Sequence, residues 1–205
     1  MANAFTYQIL EDGPRNHIVK VVGIIDTADI ALAATPITCG ITISSPTVTQ
    51  ATTTSIVVGQ RVTGTGIPAN TYIIAVSAGV GFTLSQNATV TNATASLTLG
   101  GAVLFDPAVL SKVDDFGTGL ATQGRINRAV FTIEPLLECR LYWDATTPVI
   151  ITDIGGSAHQ EYHKFGGLQN KAGAGKNGMI TLVTQGWTAS AVLSFNLVLE
   201  IVKQK

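Results

Sequence analysis

Asp153, His159, Glu161 and His163 are the densest group of metal-ligand residue types in this chain. On a helix, the i, i+4 spacing of His159 and His163 would put both imidazoles on one face. The residues around them alternate as a strand does. Over that rise the two rings stand ~13 Å apart, too far for one ion. The stretch is read as a solvated strand face, and no metal is expected. Gly173-Ala-Gly175-Lys176-Asn177-Gly178 has the look of a phosphate loop. A Walker loop also needs a glycine five residues before its last one and a hydroxyl residue after the lysine. Asn170 and Asn177 hold those positions, so that reading is rejected and no cofactor is expected.

Nucleophiles fare no better. No Ser or Cys stands in a nucleophile elbow or a paired motif. Asp114 and Asp115 are adjacent carboxylates in a polar loop, where solvation is the ordinary role. Two Asn-Ala-Thr sequons, at Asn87 and Asn92, matter only in an exported protein. Trp143, Trp187 and Tyr162 are the candidates for a sugar platform, but alternation puts Trp143 on an apolar face. The chain is read as a non-enzyme.

The stretch Arg140 to Gly178 has to position most of these residues. It opens as a strand with Leu141 and Trp143 on one face and Arg140, Tyr142 and Asp144 on the other. Asp144 to Pro148 reads as a turn, because Asp bonds its own backbone and Pro cannot continue a ladder. Val149, Ile150 and Ile151 begin a β-branched return strand, and Gly155-Gly156 breaks it. A third strand runs from His159 to Phe165, with His159, Glu161 and His163 facing one way. The expectation is a meander that ends in a long Gly- and Asn-rich loop, Gly166 to Gly178. That loop is read either as flexible or as ordering against a neighbouring subunit.

Composition narrows the function classes. Charged residues make up 12% of the 205 positions and the net charge is −1. That balance lacks the basic face that nucleic acid requires, and a weakly charged surface tends to associate. No uncharged apolar run approaches the ~18–20 residues of a membrane span. The opening stretch has neither the basic nor the apolar region of a secretory signal, so synthesis in a cytoplasm is expected. Cys39 and Cys139 are read as two separate thiols, since disulfide frameworks come in dense sets.

Charge is distributed unevenly along the chain. Between Ala34 and Gly101 the only charged residue is Arg61. This Thr-rich segment has its own short β-runs, at Ile37–Ile43, Thr71–Val76, Gly81–Leu84 and Ala95–Leu99, and its own turns at 64–70 and 78–81. It reads as a small β-module, residues 34–101, inserted in a host domain made of 1–33 and 102–205. In the host, Phe5 to Leu10 and His17 to Ile25 form a hairpin around a Gly-Pro turn, with Phe5, Tyr7 and Ile9 on one face. Asp106 caps a helical turn that starts at Pro107. Arg125 to Glu134 is a strand with Ile126, Arg128, Val130, Thr132 and Glu134 on one face. Met179 to Thr184 and the cleanly alternating Val192 to Val202 close the domain. About eight host strands with little helix predict an all-β fold, a β-sandwich most simply of jelly-roll type, or else a small barrel.

Two groups of residues resemble known proteins. The opening MANAFTYQILEDGPRNHIVKVVGIIDTAD, LYWDATTPVII, and FGGLQNKAGAGKNGMITLVTQGWTASAVLSFNLVLEIVKQ together resemble small virion structural proteins of tailed bacteriophages. In the insert, Gly59, Val62, Gly64, Gly66, Ile67, Pro68, Thr83, Leu84 and Ser85 are similar to a β-module that recurs in phage virion and tail proteins. The resemblance implies a capsid decoration or cement protein located in the virion. Such a protein binds the major capsid protein and is a homo-oligomer, with a trimer favoured. A tail or neck component is the alternative within this class, and a carbohydrate-binding module is the alternative outside it. On this reading the candidate subunit or shell interface is the loop with Gly166, Gly167, Leu168, Gln169, Asn170, Lys171, Gly173, Gly175 and Lys176. Gly64, Gly66, Ile67 and Pro68 form the structural turn of the inserted module. Weak contacts repeated on a lattice add through multivalency, which a rigid, neutral β-body suits.

Overall fold

The computed structural model describes residues 2–110 and 121–204, so Asp114 and Asp115 lie outside the described residues. The strands are β1 (Ala4–Asp12), β2 (Asn16–Ile25), β3 (Ile37–Ile41), β4 (Thr47–Thr49), β5 (Gln60–Gly64), β6 (Ile73–Ser77), β7 (Gly81–Leu84) and β8 (Asn92–Phe105). They continue as β9 (Gln123–Ile133), β10 (Glu138–Trp143), β11 (Val149–Ile154), β12 (Ser157–Glu161), β13 (Leu168–Gln169), β14 (Ile180–Gln185) and β15 (Leu193–Gln204). Only two short 3-10 turns, Pro107–Val109 and His163–Phe165, interrupt this pattern among the described residues. The fold is all-β, with antiparallel sheets packed as a sandwich. The chain groups into two compact units, one of Met1–Phe5, Ile24–Val103 and Val183–Leu193, the other of Thr6–Gly23, Leu104–Leu182 and Ser194–Lys205. The first unit thus holds the whole of 34–101 together with flanking residues on both sides. β8 runs without a break through Gly100 and Gly101.

The first unit closes a ring of strands. β3 pairs with β8 and β4, β4 with β7, and β7 with β6. β5 pairs with the opposite side of β8, so Leu97 sits opposite Ile37 on one flank and Gly64 on the other. The last gap, between β5 and β6, is spanned by the Arg61–Tyr72 bridge and by Val62 N donating to Thr71 O at 2.9 Å. Six strands therefore make a small barrel. Its interior is filled by Cys39, Ile41, Val48, Ile56, Val62, Ile73, Phe82, Leu84, Ala88, Ala95, Leu97 and Leu99, all from within 34–101. On its outside the segment exposes threonines such as Thr38, Thr47, Thr49 and Thr63. Asp29 anchors the chain beside this barrel. Its carboxylate accepts from Thr184 Oγ1 at 3.0 Å and from the backbone N–H groups of Gly186 and Trp187, each at 3.1 Å.

The second unit contains a six-stranded sheet in the order β1-β2-β15-β9-β12, with β13 beside β9, and a second layer running β11-β10-β14. β15 alternates along its full length, burying Leu193, Phe195, Leu197, Leu199 and Ile201. Lys203 continues that buried register. Its Nζ donates to Asp12 Oδ1 at 2.5 Å and to Gly13 O at 2.8 Å, while His17 Nδ1 lies 3.3 Å from the same carboxylate oxygen. The clamp ties the β1–β2 turn to β15. As expected, Asp106 caps the Pro107 turn, with Oδ1 accepting from Ala108 N at 3.0 Å.

On β1, Phe5 and Ile9 share a face as expected, with Phe5 buried and Ile9 61% exposed. Two expectations are corrected here. On β9, the single face expected from Ile126 to Glu134 is split. Asn127 is an extra residue opposite the Glu200–Ile201 step of β15, so Ile126 is buried while Val130 turns outward and Phe131 inward. The meander also ends early. β10 and β11 pair as expected, but β12 pairs with β9 in the other layer, and His163–Phe165 leaves the strand as a 3-10 turn.

Candidate interaction surface

The Gly166–Gly178 loop is built onto the second unit. Gly166 ends the 3-10 turn by donating its N–H to His163 O at 3.1 Å, and its carbonyl accepts from Arg125 at 3.4 Å. Gly167 donates to Tyr162 O at 2.9 Å. Its φ is +78°, and a Cβ there would lie 3.0 Å from Ile126 O, so the chain can pass this close to β9 only as glycine. Leu168 and Gln169 then pair with Ile126 and Arg125 of β9, beside the bulge at Asn127. Asn170 turns the chain by accepting from Ala172 N at 2.9 Å. Lys171, Gly173, Gly175 and Lys176 are exposed. The far end is fixed by Ala174 O, which accepts from Thr146 N at 3.2 Å, and by Asn177 Nδ2, which donates to Asp144 Oδ2 at 2.5 Å.

This loop forms one wall of an open groove of about 450 Å³, in the range that takes ligand-sized groups. Phe165, Gly167, Leu168, Gln169 and Lys171 line that wall; Val149, Ile150 and Ile151 of β11 line the other, with buried Trp143 at the floor. Phe165 is 69% and Ile150 52% exposed, so the rim offers bare apolar surface. Phe165 and Ile150 do not belong to the residues singled out from sequence. The signal was present in the Phe165-Gly166-Gly167 run, since a large aromatic ahead of two glycines on a departing chain has little to pack against.

The other candidate residues do not converge. Glu161 is held by Lys164 Nζ at 3.0 Å, with His159 Nε2 at 3.6 Å, and the lysine hydrogen bond lowers its pKa. Asp153 lies on β11, where its Oδ1 accepts from Arg140 Nε at 2.6 Å. The four residues are thus split between two strands and a turn. Cys39 and Cys139 are both buried thiols, and burial raises the Cys39 pKa. Trp143 is 2% exposed and Trp187 donates its indole N–H to Ala191 O at 2.8 Å. In the barrel, Gly64 is packed against Leu97 and Ser96 O, Gly66 O accepts from Thr89 N at 2.9 Å, Ile67 N donates to Gly64 O at 3.1 Å, and Pro68 O accepts from Thr71 Oγ1 at 2.8 Å. That turn is an internal structural element of the barrel. No protein-family model, curated protein or solved structure matches this chain.

Proposed function

We propose that this chain is a structural protein of a tailed-phage virion, a head decoration or cement subunit that binds the shell of major capsid protein and works as a homo-oligomer. One observation carries the reading. A barrel with its own core and a single charged residue, Arg61, sits in the same chain as a sandwich whose groove and edge strand expose apolar side chains. Rigid β-bodies with neutral faces and apolar docking points suit repeated weak contacts on a lattice. The resemblance of the host segments and of the Gly59–Pro68 turn to phage virion proteins points the same way. A carbohydrate-binding module using Trp143 as a platform fails on burial, since that ring has no face to offer.

Electron cryomicroscopy of intact source particles tests the reading. Density for this fold repeated over the shell is the expected result. Density confined to one vertex or to the tail moves the protein to the neck or tail. Its absence from the particle overturns the virion reading.

A further inference from the structure

The second unit carries an exposed apolar projection and an exposed apolar groove at opposite ends. The strand order β1-β2-β15-β9-β12 makes β1 one end of the six-stranded sheet, and β12 and β13 lie along β9 at the other. β1 is nine residues long, and its last five, Gln8 to Asp12, are all exposed, with Ile9 at 61% and Leu10 at 48%. Natural edge strands of this kind are guarded by charged residues, lysine above all, by proline, a bulge or a cover. The sequence Gln8-Ile9-Leu10-Glu11 has no lysine and no proline, and Glu11 is its one charge. Nor is the end of this strand loose, because the Asp12–Lys203–His17 clamp holds its turn.

We infer that the occupant of the groove is the Gln8–Glu11 stretch of a second copy of this chain. This deepens the proposed function by naming the subunit contact, and it rests on the reading of the chain as an assembling subunit. Three features fit. Ile9 follows Phe5 and Tyr7 on the face that turns inward, so a strand set beside β13 in continuation of the sheet aims Ile9 into the groove mouth. Glu11 shares that face. Among the described residues the groove lining carries Lys171 and no carboxylate, so charges of opposite sign meet at the rim. Gln8 to Glu11 spans roughly 14 Å at strand rise, against roughly 10 Å for the three β11 residues, Val149 to Ile151, that line the groove. Because projection and groove are different surfaces, the association is head-to-tail, and it generates a ring if the rotation closes.

Sedimentation velocity of the full chain, with circular dichroism of each variant, tests this. The wild type is expected to associate as concentration rises through the micromolar range. Ile9→Asp and Ile150→Asp should each give a folded monomer, since both side chains are solvent-exposed. Mixing the two variants should give pairs and nothing larger, because one brings only a working groove and the other only a working projection. Glu11→Lys and Lys171→Glu should each weaken association several-fold, and the double variant should restore it. A wild type that stays monomeric, variants that stay oligomeric, or a mixture that does not pair would each overturn the inference. Oligomers that survive both aspartate variants would do so while leaving the virion reading intact, because particle imaging tests that reading alone.

Discussion

The barrel leaves none of its six ring strands without a partner on each side, whereas the sandwich ends in the bare edge of β1. In the barrel, backbone hydrogen bonds run around a closed path and glycines let strands approach closely. In the sandwich, long alternating strands carry the core and a buried lysine clamps the hairpin. A closed ring has no edge to offer a neighbour, whereas the sandwich keeps the edge of β1 open.

The largest effect comes from separating the two. If the barrel is a domain in its own right, a chain of residues 32–103 should unfold cooperatively in urea, since its core cluster lies wholly inside that span. A fragment with no cooperative transition would make the barrel dependent on the sandwich and collapse the comparison.

Next in size is Gly81→Ala. A Cβ at Gly81 would overlap the Val48 carbonyl, which belongs to the β4–β7 pairing and cannot retreat without opening the ring. We expect a loss of about 3 kcal/mol or more in denaturant unfolding. Gly79→Ala, two residues earlier at φ +69° with open space around it, should cost only about 1 kcal/mol. Equal costs would mean that backbone conformation, and not ring closure, is what the glycine supplies.

The sandwich has its own counterpart in the clamp. The Lys203 side chain is fully buried while that of Asp12 is 28% exposed. Removing the carboxylate with Asp12→Asn takes the negative charge from beside a buried ammonium, at a cost of about 3 kcal/mol. Lys203→Met removes the buried charge itself and leaves Asp12 its access to solvent, so about 1 kcal/mol is expected. Chemical denaturation of both variants reads the order, and a reversed order would mean that the carboxylate is the less hydrated partner.

Much of this was legible in the sequence where alternation is local. The β1–β2 hairpin, the Leu141/Trp143 face, the Asp106 cap and the β15 register all follow from period-2 patterning or turn chemistry. What was not legible is pairing at a distance. β4 and β5 are short pieces of a Thr-rich run whose strand character exists only because β7 and β8 lie alongside. The bulge at Asn127 carries no composition mark, yet it reverses the faces of β9 beyond it, and the pairing of β12 with β9 has no local signal either. The groove shares that origin. Leu168 and Lys171 were among the candidate residues, but Ile150 and Phe165 meet them only because β11 and the 3-10 turn end up on facing walls.

The smallest predicted effect is a pH dependence confined to the clamp. Burial lowers the His17 pKa below its ordinary value, and this outweighs the hydrogen bond that Asp12 accepts from the ring, which acts the other way along with the carboxylate charge; Lys203 adds to the lowering. The ring also packs edge-on against Phe105 at 5.6 Å between centroids. A depressed histidine is neutral in the fold and protonates first in the unfolded chain, whose imidazole titrates near ~6.5. Its contribution is therefore fully present above about pH 6.5 and declines as pH falls from there toward the folded value, levelling off below it. Asp106, whose pKa burial raises, acts with the opposite sign and in the carboxylate range. The difference in unfolding free energy between wild type and His17→Gln, followed from about pH 7.5 down to 5, isolates the histidine. The wild type should lose stability relative to the variant as the solution is acidified. A difference that stays flat, or that grows in favour of the wild type, would mean that Asp12 holds a proton on His17 and that the clamp is a charged triad, not a lysine–aspartate pair beside a neutral ring.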